Sequence, residues 1–94
     1  MRLTQQEQFA IVSAVQQVDA GADIYLHGSR AGDNALGGDI DVLLLSDKIN
    51  LMGKLDILTR LRPILGERKI DLTVFADPGQ PFAQLALQTG VRLN

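Results

Sequence analysis

The stretch 39–45, Asp-Ile-Asp-Val-Leu-Leu-Leu, constrains the fold of this chain more than any other segment. Acidic and apolar residues alternate in its first half, and its second half is continuously apolar. A strand that is buried on both faces has such an apolar run. The stretch therefore predicts a central strand of a sheet that other elements cover.

A helix is predicted near the start of the chain, over roughly 4–19. Thr4 and Glu7 have the spacing of a capping box, in which the two side chains satisfy free amides of the first helical turn. Ala20 and Gly21 are expected to end this helix. The apolar residues at helical spacing within it are Ile11, Val15 and Val18.

Two further helices are predicted in the second half of the chain. The first carries leucines at helical spacing and is closed near Gly66 as a C-cap. These leucines are Leu51, Leu55, Leu58, Leu61 and Leu65. The second is short, runs from about 82 to 89, and is stopped by Gly90.

Two more strands are predicted, over 23–27 and 70–75. The central strand 39–45 and the strand 70–75 are separated by a helix-length crossover, which favours a parallel pair. A loop without a full helix joins 23–27 to 39–45, which favours an antiparallel pair. The expected fold is α/β, a small mixed sheet flanked by helices, and 94 residues make a single domain over 1–94.

Composition excludes several classes of site. The chain has no cysteine, so disulfide frameworks, cysteine zinc sites and thiol nucleophiles are excluded. His27 is the one histidine, which excludes a site built on several. The net charge of -2 argues against nucleic-acid binding through bulk charge. No apolar run approaches the ~18 residues that span a bilayer, and the polar start lacks a signal-peptide region, so we expect a cytoplasmic protein.

Three aspartates are the candidate metal-binding and catalytic groups. Asp39 and Asp41 are two apart on a strand, so both carboxylates lie on one face, with Cα atoms about 6.6 Å apart. Adjacent carboxylates repel each other, and Mg²⁺ relieves that repulsion. Asp71 lies near the start of the strand 70–75, where it can stand beside this pair. The alternative is that the pair caps a solvated strand edge and Asp71 is an outward polar residue.

Gly28 and Ser29 follow a strand directly and are candidates for phosphate binding. Glycine lets the backbone approach a phosphate closely, and the serine hydroxyl and free amides can bind the anion. Arg30 is either a phosphate ligand or a surface charge. Three carboxylates around two metal ions, opposite a phosphate-binding loop, form the arrangement for in-line phosphoryl or nucleotidyl transfer.

Gly28-Ser29, followed by Asp39-x-Asp41 and a later strand aspartate, Asp71, resembles the nucleotidyltransferase superfamily of DNA polymerase beta, and within it the minimal nucleotidyltransferases of bacteria and archaea. The resemblance covers nearly the whole chain. It implies transfer of a nucleoside monophosphate, AMP from ATP, to a hydroxyl with Mg²⁺. It also implies the site residues: Asp39, Asp41 and Asp71 as metal ligands and catalytic carboxylates, with Gly28, Ser29 and Arg30 holding the triphosphate.

The same resemblance implies a partner. Many minimal members pair with a small helical protein of the HEPN class as antitoxin and toxin, and several are thought to adenylylate a tyrosine of that partner. Two departures weaken the triphosphate contacts: Gly38 stands where many relatives have serine, and Ala35-Leu36-Gly37 where many have Arg-Pro. Neither touches the three carboxylates.

The sequence is also compatible with two other functions. The domain is alternatively a module that neutralises its helical partner by occlusion, without turnover. A weaker alternative is a free-standing transferase acting on a small molecule or an RNA end, for which the basic stretch Lys54, Arg60, Arg62, Arg68 and Lys69 is the candidate patch. Self-association is expected through a sheet edge or through the last helix, at Phe82, Leu85 and Ala86.

Overall fold

A computed structural model describes residues 3–26, 40–66, 69–77 and 79–94. It has three helices and a mixed four-stranded sheet in the order β3-β2-β1-β4, which confirms the α/β class. The elements are α1 (Gln5–Val18), β1 (Asp23–Leu26), β2 (Ile40–Leu45), α2 (Leu51–Leu65), β3 (Ile70–Phe75), α3 (Pro81–Thr89) and β4 (Val91–Arg92). None of the described helices is long and apolar enough to cross a membrane.

The strand directions agree with the connections predicted from the sequence. β2 pairs with β3 in parallel and with β1 in antiparallel. The sequence did not predict β4, which pairs antiparallel with β1 and is only two residues long. Such a short strand has no periodicity, so its place depends on tertiary contacts.

The side chain of Asn94 extends the β4–β1 pairing. Its Oδ1 accepts a hydrogen bond from the amide of Ile24 at 3.0 Å, and its Nδ2 donates to the carbonyl of Ala22 at 2.9 Å. The amide of Leu93 donates to the Ile24 carbonyl at 2.8 Å. These bonds hold residues 91–94 against β1 beyond the two residues of β4.

The hydrophobic core lies between the sheet and the two long helices. β2 contributes alternate residues to it, Ile40, Val42 and Leu44, all of them buried. α2 contributes Ile57, Leu61 and Leu65. The leucine series marks the buried face of α2 in its second half, where Leu61 and Leu65 are buried and Leu58 packs against the core, whereas Leu51 and Leu55 are 68% and 49% exposed. The remaining core positions are Ala10, Ile11, Ala14, Val15, Ala22, Ile24, Leu26, Ile49, Leu72 and Leu93.

The helix ends follow the predicted capping residues. The Thr4 hydroxyl accepts from the Glu7 amide at 3.0 Å, and the Glu7 carboxylate accepts from the Thr4 amide at 2.9 Å, which confirms the capping box. Gly66 closes α2 with a φ of 66°, a left-handed conformation that glycine adopts without steric cost. α1 ends at Val18 with Asp19 as its C-cap, earlier than Ala20 and Gly21.

A buried polar network at Asp19 ties the end of α1 to the turn between β2 and α2. The Ser46 hydroxyl donates to the Asp19 carboxylate at 2.6 Å, and both residues are buried. The same Ser46 oxygen accepts from the amides of Lys48 and Ile49. Because this network joins the two helices that cover the core, it fixes where each of them meets the sheet.

Ser46→Ala is expected to lower the free energy of unfolding by about 1–3 kcal/mol, because it removes a buried donor and leaves the Asp19 carboxylate short of a partner. Urea denaturation measures the change. Ser13→Ala on α1, whose hydroxyl makes no hydrogen bond to another described residue, is the matched control and should shift the value by less than about 0.5 kcal/mol. Equal effects from the two substitutions would contradict this role of the network.

The same network predicts a pH dependence. The Ser46 hydroxyl, and after it the Gly21 amide, hold the pKa of Asp19 below its ordinary value of 3.8, against the opposing effect of burial. A depressed pKa adds stability above the unfolded pKa, and that stability is lost as the pH falls through the folded pKa. The stability difference between wild type and Asp19→Asn should therefore be constant well above pH 3.8 and shrink below it. Asp56→Asn on exposed α2 is the control, and a difference that persists unchanged into acid would contradict the assignment.

Candidate functional site

Two of the three predicted carboxylates are direct neighbours in the sheet. Asp41 of β2 and Asp71 of β3 are paired in the parallel register. Paired residues of adjacent strands project to the same face, and the strands are about 4.8 Å apart. Asp41 is half-buried and Asp71 is exposed. The carboxylates therefore share one face of the sheet and are close enough to bind a common cation.

This carboxylate face is the side of the sheet away from the main core. Ile40 and Val42 of β2 are in the core that α1 and α2 cover, so Asp41 between them projects to the other side. On β3, Leu72 is in the core and Asp71 alternates with it in the same way. The helices α1 and α2 therefore cover the opposite face of the sheet and do not cover the two aspartates.

The connection through α3 is expected to pass over the carboxylate face. β3 and β4 run in the same direction at opposite edges of the sheet, and α3 joins them. Because crossovers are right-handed, a connection that returns across the sheet lies on the face opposite α2. Leu43 of β2 and Ala83 of α3 are 2% and 0% exposed, and neither belongs to the main core cluster. Their burial is expected if α3 covers this part of the carboxylate face.

Four further polar side chains, Thr73, Asp23, Tyr25 and Arg92, belong to the carboxylate face. Thr73 lies two residues after Asp71 on the same face of β3 and is exposed. Farther across, Arg92 of β4 donates to the Asp23 carboxylate at 2.8 Å, and its guanidinium carbon lies 5.7 Å from the centre of the Tyr25 ring. The sequence analysis missed these residues. The alternation Asp71-Leu72-Thr73 could have indicated that Thr73 shares a face with Asp71. Arg92 could not be found in this way, because its position depends on the pairing of β4 with β1.

The other predicted site residues lie outside the described part of the chain. They are Asp39, Gly28, Ser29 and Arg30, and His27 lies outside it as well. In residues 3–26, 40–66, 69–77 and 79–94 there is no group of three or more side chains of histidine, cysteine, aspartate or glutamate that could hold a metal ion. The third ligand of the predicted site, Asp39, therefore remains a prediction from the sequence.

The donor set of the carboxylate face fits Mg²⁺ chemically. Mg²⁺ binds through one or two carboxylates and keeps waters or phosphate oxygens in its remaining positions. Asp41 and Asp71 supply two carboxylates from rigid, hydrogen-bonded strands, and Thr73 adds an uncharged hydroxyl beside them.

The predicted basic stretch is divided between the two sides of α2 in the described residues. Arg60 pairs with Asp56 at 3.2 Å and lines a groove against α1. On the β3 side of α2, Arg62 and Lys69 line one cavity, and Lys54 lines the cavity that adjoins it. Arg68 lies outside the described residues.

In comparisons with known proteins, no family model matches this sequence, and no curated protein matches it. The family resemblance therefore depends on the motif residues alone.

Asp71→Asn is expected to raise the stability of the metal-free protein by about 0.2–1 kcal/mol, because like charges directly opposite each other in a sheet are destabilising. The same substitution should abolish the stabilisation that added Mg²⁺ gives the wild type. Thermal unfolding with and without Mg²⁺ measures both effects. Asp56→Asn should keep the response to Mg²⁺, and an unaltered response in Asp71→Asn would exclude this residue as a ligand.

Proposed function

We propose that this protein is a Mg²⁺-dependent nucleotidyltransferase that transfers a nucleoside monophosphate, AMP from ATP, to a hydroxyl acceptor. The observation that carries the proposal is the pairing of Asp41 with Asp71 in adjacent parallel strands, on the face away from the helical core. The motif Gly28-Ser29 before Asp39-x-Asp41 supplies the second line of support.

The carboxylates have two roles in the proposed reaction. Asp41 and Asp71, with Asp39, would hold Mg²⁺, which neutralises phosphate charge and lowers the pKa of the attacking hydroxyl when it is bound. Asp71 is the proposed base because it is exposed on β3, where an acceptor can approach it. The acceptor oxygen bonds to the α-phosphorus, pyrophosphate leaves, and the hydroxyl proton passes to the Asp71 carboxylate.

Binding of the triphosphate is assigned to the loop before β2. Arg92, on the carboxylate face, is engaged with Asp23 and Tyr25, and Lys54 lines a cavity that Asp41 and Asp71 also line. The proposed triphosphate contacts are the Ser29 hydroxyl, the Arg30 guanidinium and backbone amides near Gly28.

The acceptor is proposed to be held by another chain. The three described helices and four described strands form one sheet and the layers that cover it. None of these elements forms a separate binding domain for a second substrate. A protein acceptor brings its own binding surface. Following the family resemblance, we propose a tyrosine of a helical HEPN-class toxin, so that the protein acts as the antitoxin.

The test is transfer of label from α-labelled ATP, with Mg²⁺, to the product of the neighbouring reading frame. Wild type should label the acceptor, and Asp41→Asn and Asp71→Asn should each reduce the rate about a hundredfold or more, since a catalytic base contributes on that order. Asp56→Asn removes a carboxylate of α2 outside the site and should leave the rate unchanged. Labelling that survives both site substitutions would reject the proposal.

The second candidate is the occluding module, which the exposed apolar side chains favour. Phe9, Leu51 and Met52 are 73%, 68% and 71% exposed on the two long helices, which gives a partner apolar surface to bind. Under this alternative, Asp41→Asn neutralises the partner as fully as wild type and no chain is labelled. Under the enzyme proposal, Asp41→Asn still binds the partner but no longer neutralises it.

A further inference from the structure

The outer edge of β3 directs backbone groups away from β2, and none of the other described strands pairs with them. The carbonyls of Lys69 and Phe75 accept from amides of β2 and its following turn, at 2.8 and 3.0 Å. In a parallel ladder, successive residues direct their amide and carbonyl groups to opposite sides. The groups of Ile70, Leu72 and Val74 therefore face away from β2, and within the described residues no strand lies on that side.

A groove runs beside this edge, between β3 and α2. It consists of three adjoining cavities of about 400, 550 and 320 Å³. Lys54 lines the first two, and Leu58 and Ile70 line the last two, so the cavities follow one another along the strand. Ile70 and Val74 are only half-buried there. Leu58, Ile70 and Val74 give the groove apolar walls, and Asp41 and Asp71 also line its middle cavity.

The sequence of β3 is complementary to itself when it is reversed. Antiparallel pairing about Leu72 sets Ile70 opposite Val74, so all three residues with outward backbone groups pair among themselves. On the groove side, every opposed pair is apolar. On the other side, Asp71 stands opposite Thr73, so no like charges are opposed.

We propose that the β3 edge binds a second copy of this chain, in antiparallel register about Leu72, to form a continuous eight-stranded sheet. This inference does not depend on nucleotide transfer. It has a consequence for the site, because the Thr73 hydroxyl of the second copy comes to lie directly opposite Asp71. Each carboxylate face is then completed by a residue of the other chain.

The absence of cysteine permits a direct test of the register. Asp71 and Thr73 of two copies form a non-hydrogen-bonded pair, whose Cα atoms are about 4.5 Å apart, within disulfide range. We expect a mixture of Asp71→Cys and Thr73→Cys chains to form a disulfide-linked dimer under mild oxidation, and neither variant alone to do so. Thr59→Cys on exposed α2, mixed with Thr73→Cys, is the matched control and should not cross-link.

A second variant tests the edge itself. Val74→Pro removes an outward-facing amide but no ladder bond to β2, which an edge strand tolerates. It should raise the dissociation constant of the dimer about a hundredfold in analytical ultracentrifugation, since each dimer loses hydrogen bonds at two symmetry-related places.

Three outcomes would overturn the proposal: a wild-type monomer at millimolar concentration, a dimer that Val74→Pro does not weaken, or cross-linking of the control mixture as efficient as that of the 71–73 mixture. If Val74→Pro fails to fold, the cysteine mixtures test the proposal by themselves. Cross-linking of the 71–73 mixture alone supports the assigned register, and its absence rejects the proposal.

Discussion

The parallel pairing of β2 with β3 is the constraint on which the rest of the molecule depends. It connects residues 30 positions apart, Asp41 and Asp71, and it requires a long crossover connection, which α2 supplies. Through this pairing, the core residues of both strands meet the same helical layer. The two aspartates are consequently brought together on the opposite face by the same alternation that builds the core.

The position of α2 is in turn fixed at both of its ends. The Asn50 side chain accepts from the Gly53 amide at 2.9 Å at the start, and Gly66 reverses the chain at the end. Ser46 and Asp19 join the turn before α2 to the end of α1. Loss of the network at Asp19 would therefore affect how α2 is placed between β2 and β3. None of these residues lies on the carboxylate face.

Local patterns of the sequence predicted most of the fold, because each long element has its own signal. The capping box at Thr4 marks α1, and the out-of-phase Asp71 in an apolar alternation marks β3 and its two faces. β4 could not be predicted in this way, because a strand of two residues has no period. The buried face of α2 could be predicted only in part: the leucines at 61 and 65 are buried, but packing against α1 and the sheet leaves Leu55 exposed and buries Ile57.

The candidate site could be predicted in part for the same reason. The pairing of Asp41 with Asp71 follows from strand alternation and parallel register, which are readable from the sequence. The contribution of Thr73 and of the β4 residue Arg92 depends on which strands become neighbours across the sheet, and the sequence carries only weak signals for that.

β3 combines two functions of an edge strand that usually conflict. An inward or central charge on an edge strand protects it from pairing with other chains, and Asp71 is such a charge. Here the reversed sequence places an uncharged Thr73 opposite that aspartate, so the charge disfavours pairing centred on Asp71, where two carboxylates would be opposed, and does not oppose pairing about Leu72. Under the two proposals, the Asp71 carboxylate would bind Mg²⁺ and would also limit how two copies can pair. The proposed site and the proposed interface would then share one side chain.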